Sequence, residues 1–158
     1  MKRRDLLKAL MAGGSTIVFA RGMAFAKQYF PMQVDEKLFK GINRIKDPAN
    51  QTGLEKKHAA VIRAPAKVKA REPFDVEVVI GEIVHPMGPA HWIEYLQLNI
   101  GNEPAGTVNF RSHGYLKPEA KFTVVLNDRL KGKTVSLVVQ DKCNLHGIWE
   151  NYTNVEVM

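Results

Sequence analysis

The 158-residue sequence predicts an all-β fold, an antiparallel sandwich of about seven short strands with one short helix ahead of it. Two observations carry that expectation. Apolar residues alternate with polar ones in period two along several short segments, as half-buried strands require. Between those segments stand turn-forming pairs at regular spacing, and helical periodicity is confined to one stretch near the start. Short strands spaced in this way are the pattern of an immunoglobulin-like sandwich.

In chain order, Leu38, Phe39, Ile42 and Ile45 recur at helical spacing within Val34 to Lys46, so a short helix is expected there, ended by Asp47-Pro48. After Thr52-Gly53 the period changes. Val61-Ile62 and Val68 mark one or two early strands, and Phe74, Val76, Val78 and Ile80 alternate with Asp75, Glu77 and Val79 in the next. Trp92 to Ile100 is a further strand, ended by Gly101-Asn102. Thr107 to Phe110, Lys121 to Leu126, Thr134 to Val139 and Asn154 to Val157 complete the set. Glu103-Pro104, Lys117-Pro118, Asn127-Asp128 and Lys131-Gly132 separate them as turns.

The first 26 residues read as a signal peptide. Arg3-Arg4 leads, a modestly apolar run from Ala9 to Ala20 follows, and Ala24-Phe25-Ala26 supplies a small-x-small cleavage site. The run is too short and too weakly apolar for a membrane anchor. The paired arginines point to the twin-arginine route and hence to a periplasmic or otherwise exported protein. Residues 27–50 then form a lead-in, and residues 51–158 the sandwich domain. Five of the 23 bases and one of the 16 acids fall in residues 1–26, leaving 18 against 15, a net of +3. No basic run is interleaved with aromatics, so nothing points to nucleic acid.

One cysteine, Cys143, cannot form an internal disulfide in an exported chain; it is a free thiol, a dimer bridge or a ligand. Four of the five histidines lie with it at expected strand ends: His58, His85, His91 and His146. Loops at one end of a sandwich cluster, so ligands remote in sequence can meet there. Two prolines and a glycine stiffen the segment from His85 to His91, and the two residues between Cys143 and His146 amount to one tight turn. Four imidazoles and a thiolate form a borderline-soft set with more donors than tetrahedral zinc takes. Five ligands leave one octahedral position open, which suits chemistry rather than a structural ion. His113 fits no cluster and is expected to be exposed.

At these residues the sequence resembles the superoxide reductase family, the neelaredoxins and desulfoferrodoxins. The resemblance rests on Glu55-Lys56-Lys57-His58, on His85-Pro86-Met87-Gly88-Pro89-Ala90-His91-Trp92-Ile93, and on Cys143-Asn144-Leu145-His146-Gly147-Ile148-Trp149, in that order. It implies a mononuclear non-haem iron with four equatorial histidines (His58, His85, His91, His146) and axial Cys143. It also implies reduction of superoxide to hydrogen peroxide without evolution of oxygen. With a single cysteine, the chain lacks the additional four-cysteine iron site of the desulfoferrodoxins and looks like the single-iron class. A glutamate and a lysine directly precede the first histidine in the family; here Lys57 takes the lysine place and Glu55 sits one residue further back, behind Lys56.

The resemblance casts Glu55, Lys56 and Lys57 as catalytic groups, the lysines raising the local concentration of the superoxide anion. Backbone N–H groups of Asn144 and Gly147 are expected to tune the sulfur, and Trp92 and Trp149 to wall the site rather than relay electrons. The electron donor is expected to be a small carrier such as rubredoxin, and family members form dimers and tetramers. The alternative is an exported blue-copper electron carrier, also a β-sandwich with one late cysteine. Its axial methionine should follow the last histidine closely, whereas the next methionine after His146 is Met158.

Overall fold

A computed structural model of the chain describes residues 34–158. The signal peptide expected over residues 1–26 lies outside them. Nine strands form two sheets. The larger sheet contains β1 (Ile42–Asn43), β3 (Lys67–Val68), β5 (Ile93–Ile100), β6 (Glu103–Asn109), β8 (Thr134–Cys143) and β9 (Gly147–Val157). Its order is β1-β9-β8-β5-β6, with β3 on the same edge of β9 as β1. The smaller sheet contains β2 (Ala60–Arg63), β4 (Pro73–Ile80) and β7 (Glu119–Val125), in the order β2-β4-β7.

The alternation seen in the sequence becomes the packing. On β4, Val76, Val78 and Ile80 point inward while Asp75 and Glu77 face water. On β8, Val135, Leu137 and Val139 do the same against Leu96 and Leu98 of β5. Both inner faces join in one core, the arrangement of a sandwich. Its apolar burial is the main stabilising term. No helix among the described residues is long and apolar enough to cross a membrane.

The structure corrects the sequence reading in two places. The helix expected across Val34 to Lys46 shrinks to one 3-10 turn, Glu36–Phe39, capped by the Asp35 side chain. The chain then pairs in parallel with β9 instead, Ile42 opposite Ile148 and Asn43 opposite Trp149. The Asn43 side-chain amide donates to the carbonyls of Leu38 and Ile148, both at 2.9 Å, which fastens an extended segment and not a helix. Phe39 and Ile42 remain exposed, so their helical spacing never becomes a buried stripe.

The second correction is a six-residue helix, α1 (Gly53–His58), which the sequence reading does not assign. Thr52 and Glu55 form a capping box: the Thr52 hydroxyl accepts from Glu55 N–H, and the Glu55 carboxylate accepts from Thr52 N–H. Gly81, just past β4, lets the end of this helix approach closely. Its φ is +86°, and a Cβ there would stand 2.6 Å from the Lys57 carbonyl oxygen.

Candidate metal centre

Three ligand-bearing segments meet at one end of the sandwich. His58 is the last residue of α1, placed by the capped turn before it. His85 follows β4 through a tight turn closed by His85 N–H to the Ile80 carbonyl at 3.1 Å, and His91 lies just before β5. Cys143 ends β8 and Gly147 opens β9 directly opposite it, so Asn144, Leu145 and His146 form a three-residue hairpin loop. Gly147 has φ +73°, and a Cβ on it would lie 2.2 Å from the Leu38 carbonyl oxygen. Only glycine allows the lead-in segment to pass this close.

The ligand atoms of His58, His85, His91, Cys143 and His146 all lie within 4.8 Å of one another. The four rings form a closed square in the order His58, His85, His91, His146, with successive centroids 4.7, 4.4, 4.9 and 4.7 Å apart. Each ring stands at 70–78° to the next, so edges turn inward. The Cys143 sulfur lies 3.1 Å from His91 Nε2 and 3.4 Å from His146 Nδ1. His58 and His85 bring their Nε2 atoms to 3.2 Å. Donors at right angles on bonds of about 2.1 Å stand about 3 Å apart, so this spacing fits one shared ion.

Neighbouring groups set the chemistry of each ligand. The Leu54 carbonyl takes the Nδ1 proton of His58 at 2.7 Å, and the Pro86 carbonyl that of His85 at 2.6 Å, freeing both Nε2 atoms for a metal. Burial pushes His58 down to about 4 and His85 to about 3, with the neighbouring imidazoles adding to the effect. His91 and His146 are also lowered, first by burial. All four rings are therefore neutral and ready to ligate at pH 7. Burial raises the Cys143 thiol to about 11, while N–H groups of Leu145 and His146 pull the other way. A metal must displace that proton to recruit the thiolate.

The hydrogen bonds to sulfur correct the sequence reading. The Asn144 N–H goes to the Trp92 carbonyl at 3.1 Å, and it is Leu145 N–H that approaches the sulfur, at 3.5 Å. Asn144 acts instead as a brace between two ligand segments. Its side chain accepts from Trp92 N–H and donates to the Ala90 carbonyl, both at 2.9 Å.

Of the three residues expected to be catalytic, Glu55 does not join the cluster. Its carboxylate is buried and holds Thr52 N–H at 2.7 Å, the Thr52 hydroxyl at 2.9 Å and Lys46 N–H at 3.0 Å. Those bonds keep it below the usual carboxylate range. In this chain the glutamate is the N3 partner of the α1 capping box. Lys57 is exposed beside the cluster, and its charge depresses His58, His91 and His146. Lys56 is half-buried, its carbonyl accepting Ile83 N–H at 3.0 Å. His113 stands exposed and outside the cluster.

One neighbour was missed by sequence reasoning, and another, Trp149, takes the place expected of it at the wall of the site. Asp141 continues the inward face of β8, two residues before Cys143, and neither carboxyl oxygen has a hydrogen-bond partner. Complete burial raises its pKa well above the usual range, which disfavours its charged form. The alternation Val135, Leu137, Val139, Asp141, Cys143 already marks it as inward. Trp149 stacks on His58 at 5.1 Å and 22° and donates its Nε1–H to the His146 carbonyl at 3.0 Å.

Five clustered donors exceed the four of a tetrahedral zinc site. Neutral imidazoles with a thiolate suit iron and disfavour hard, oxygen-preferring ions. A blue-copper site commonly takes an axial methionine sulfur, whereas Met87 accepts Ile93 N–H at 3.4 Å within the core.

The desulfoferrodoxin family profile matches residues 50–152. A protein of Methanocaldococcus jannaschii is 36% identical over 110 residues, covering 70% of this chain and 89% of its own length. The superoxide reductase of Pyrococcus abyssi is 34% identical over 107 residues, with 63% and 88% covered. Among solved structures, the superoxide reductase (neelaredoxin) of Ignicoccus hospitalis superposes with a TM-score of 0.62 at 32% identity, covering 80% of this chain and all of that one.

Proposed function

As the chain belongs to the desulfoferrodoxin family, we propose that it is a superoxide reductase of the single-iron class. The observation that carries this reading is the convergence of four imidazoles and one thiol within 4.8 Å. His58, His85, His91, His146 and Cys143 would hold the iron, which would supply the one electron needed for superoxide and two protons to become hydrogen peroxide with no oxygen formed.

The remaining tasks fall to the protein. Cys143, held between Leu145 N–H and the buried Asp141, presents a thiolate from the dry side of the site. The carbonyls of Leu54 and Pro86 fix the ring tautomers, so the plane of donors is set before substrate arrives. Lys57 keeps a positive field at the exposed side, which concentrates a small anion, and Lys56 reinforces it. Glu55 holds the helix that carries His58 and does not act on substrate.

Residues 1–26 extend the proposal to location. The Arg3-Arg4 pair and the Ala24-Phe25-Ala26 site support a periplasmic or otherwise exported enzyme.

The test is iron quantification on the purified protein together with superoxide consumption. About one iron per chain, superoxide removed, peroxide formed and no oxygen evolved is the expected result. Oxygen evolution at half the rate of superoxide loss would make the reaction a dismutation and reject the proposal.

A further inference from the structure

Residues 35–43 form a strap laid against the hairpin that carries Cys143 and His146. At its start the Asp35 N–H donates to the Leu145 carbonyl at 3.4 Å. At its end the Asn43 side-chain amide donates to the carbonyls of His146, at 3.4 Å, and Ile148, at 2.9 Å. Between these points the Leu38 carbonyl closes on Gly147. The strap therefore holds His146 itself and the residues on either side of it.

His146 is also the ring whose outer nitrogen lacks a carbonyl partner. Its Nδ1 is turned to the Cys143 sulfur at 3.4 Å, which leaves Nε2 for a group outside the cluster. An imidazole that gives Nδ1 to an ion carries its proton on Nε2, and metal-bound histidines almost always hand that second proton to a carboxylate, a carbonyl or water. His58 and His85 have the Leu54 and Pro86 carbonyls for this task. Among the described residues no carbonyl serves His146 in the same way.

Asp35 stands where such an acceptor is needed. Its Oδ1 takes Lys37 N–H at 3.1 Å, capping the 3-10 turn, and Oδ2 is left over. Its charge reaches one ring of the square. Burial pulls His146 down, Asp35 pushes it back up, and Lys57 lowers it again. At His58, His85 and His91 every neighbouring charge acts downward, so the carboxylate is felt at His146 and not at the other three.

We infer that Asp35 is a positioning residue of the metal centre, its carboxylate accepting the Nε2 proton of His146 while Nδ1 holds the ion. The inference rests on the proposed iron site. Asp35 acts through the imidazole and does not touch substrate. A carboxylate draws that proton harder than a carbonyl does, which makes His146 a stronger donor than the rings of His58 and His85. It also ties retention of the ion to the seating of the strap.

The experiment compares Asp35→Asn, Asp35→Ala and Glu36→Gln in the full chain. Asparagine caps a helix start as well as aspartate does, so Asp35→Asn keeps the turn and removes the charge. Glu36→Gln removes a charge of the same sign one residue away. Competition of ferrous iron with a chelator, without oxygen, gives the affinity, and redox titration of the iron-loaded protein gives the potential. Asp35→Asn is expected to bind iron about tenfold more weakly, the low end for a ligand histidine that loses its partner. Its potential should rise, because a weaker donor favours the ferrous state. Asp35→Ala should lose as much affinity and also lower the melting temperature of the apoprotein. Glu36→Gln should match the parent in affinity and potential, and Asp35→Asn apoprotein should melt with the parent.

Parent affinity and potential in Asp35→Asn would overturn the inference. Equal shifts in Glu36→Gln would also overturn it, since a diffuse field and not a bond to His146 would then be at work. If Asp35→Asn apoprotein melts as low as Asp35→Ala, the residue is a cap alone and the inference falls. A parent that binds no iron sinks it together with the reductase assignment. A ferrous parent that ignores superoxide, with both shifts present in Asp35→Asn, removes the reductase assignment and leaves the role of Asp35 standing.

Discussion

The indole of Trp149 lies flat against the imidazole of His58, 5.1 Å away and 22° from parallel, while its Nε1–H holds the His146 carbonyl. One side chain thus orients two ligands that are 88 positions apart. Trp149→Ala should cost about 3–5 kcal/mol of stability and lower the retained iron. Trp149→Phe keeps a ring against His58 and loses only the hydrogen bond, about 1 kcal/mol. Denaturant unfolding with iron analysis separates the two, and equal behaviour of both variants would reject an orienting role.

The protein stripped of metal should weaken in acid. His58 and His85 titrate at about 4 and about 3 when folded, below the ordinary 6.5. The unfolded chain therefore binds protons first, and the stability these rings contribute is complete above about pH 6.5 and lost as pH falls toward 3. Cys143 works in the opposite direction. Its folded value of about 11 lies above the ordinary 9, so its contribution is present below pH 9 and lost as pH rises toward 11. Thermal unfolding of apoprotein across pH checks both limbs; a flat acid limb would contradict the burial of the two rings.

The Glu55 carboxylate caps α1 and lies outside the five clustered donors. Thr52→Ala should cost about 1 kcal/mol through loss of the helix cap. Glu55→Gln should lower the melting temperature and leave the spectrum of the oxidised iron protein unchanged. A shift in the sulfur-to-iron absorption band of Glu55→Gln would show that the carboxylate reaches the ion after all.

Gly147 and Gly132 share a left-handed backbone, φ +73° and +74°, but only Gly147 is crowded. Gly132→Ala should carry the conformational penalty alone, about 1 kcal/mol. Gly147→Ala should exceed it, because the Leu38 carbonyl blocks the new methyl, and it should also weaken metal binding by shifting His146. Competition with a chelator measures the second effect, and equal affinities in the two variants would contradict it.

Lys57→Ala should slow the reaction with superoxide severalfold at low salt and flatten its salt dependence, with the iron spectrum intact. Stopped-flow rates equal to the parent at low salt would remove Lys57 from the substrate path.

The strands and the five clustered donors are legible because each depends on a local pattern. Phe74 to Ile80 alternates cleanly, and Cys143 to His146 is short enough to be read as one turn. The helix across residues 34–46 failed for a non-local reason: the Asn43 amide finds carbonyls on both sides of a parallel pairing with β9, which no local periodicity reveals. The helix at 53–58 is visible in the capping box Thr52-x-x-Glu55, a local signal that the family pattern carried by the same glutamate obscures. Asp141 was readable as inward-facing; its lack of any partner depends on neighbours from β5 and β9, opposite Leu96 and Trp149.

The ring of donors takes its first member from residue 58 and its last from residue 146, with a sheet crossing between. No early, local fragment of the chain holds more than two of them. The ion consequently cannot nucleate folding as it does in a small zinc module; it arrives at a scaffold that is already closed. Binding of an ion there is linked to the folded chain and stabilises it by mass action.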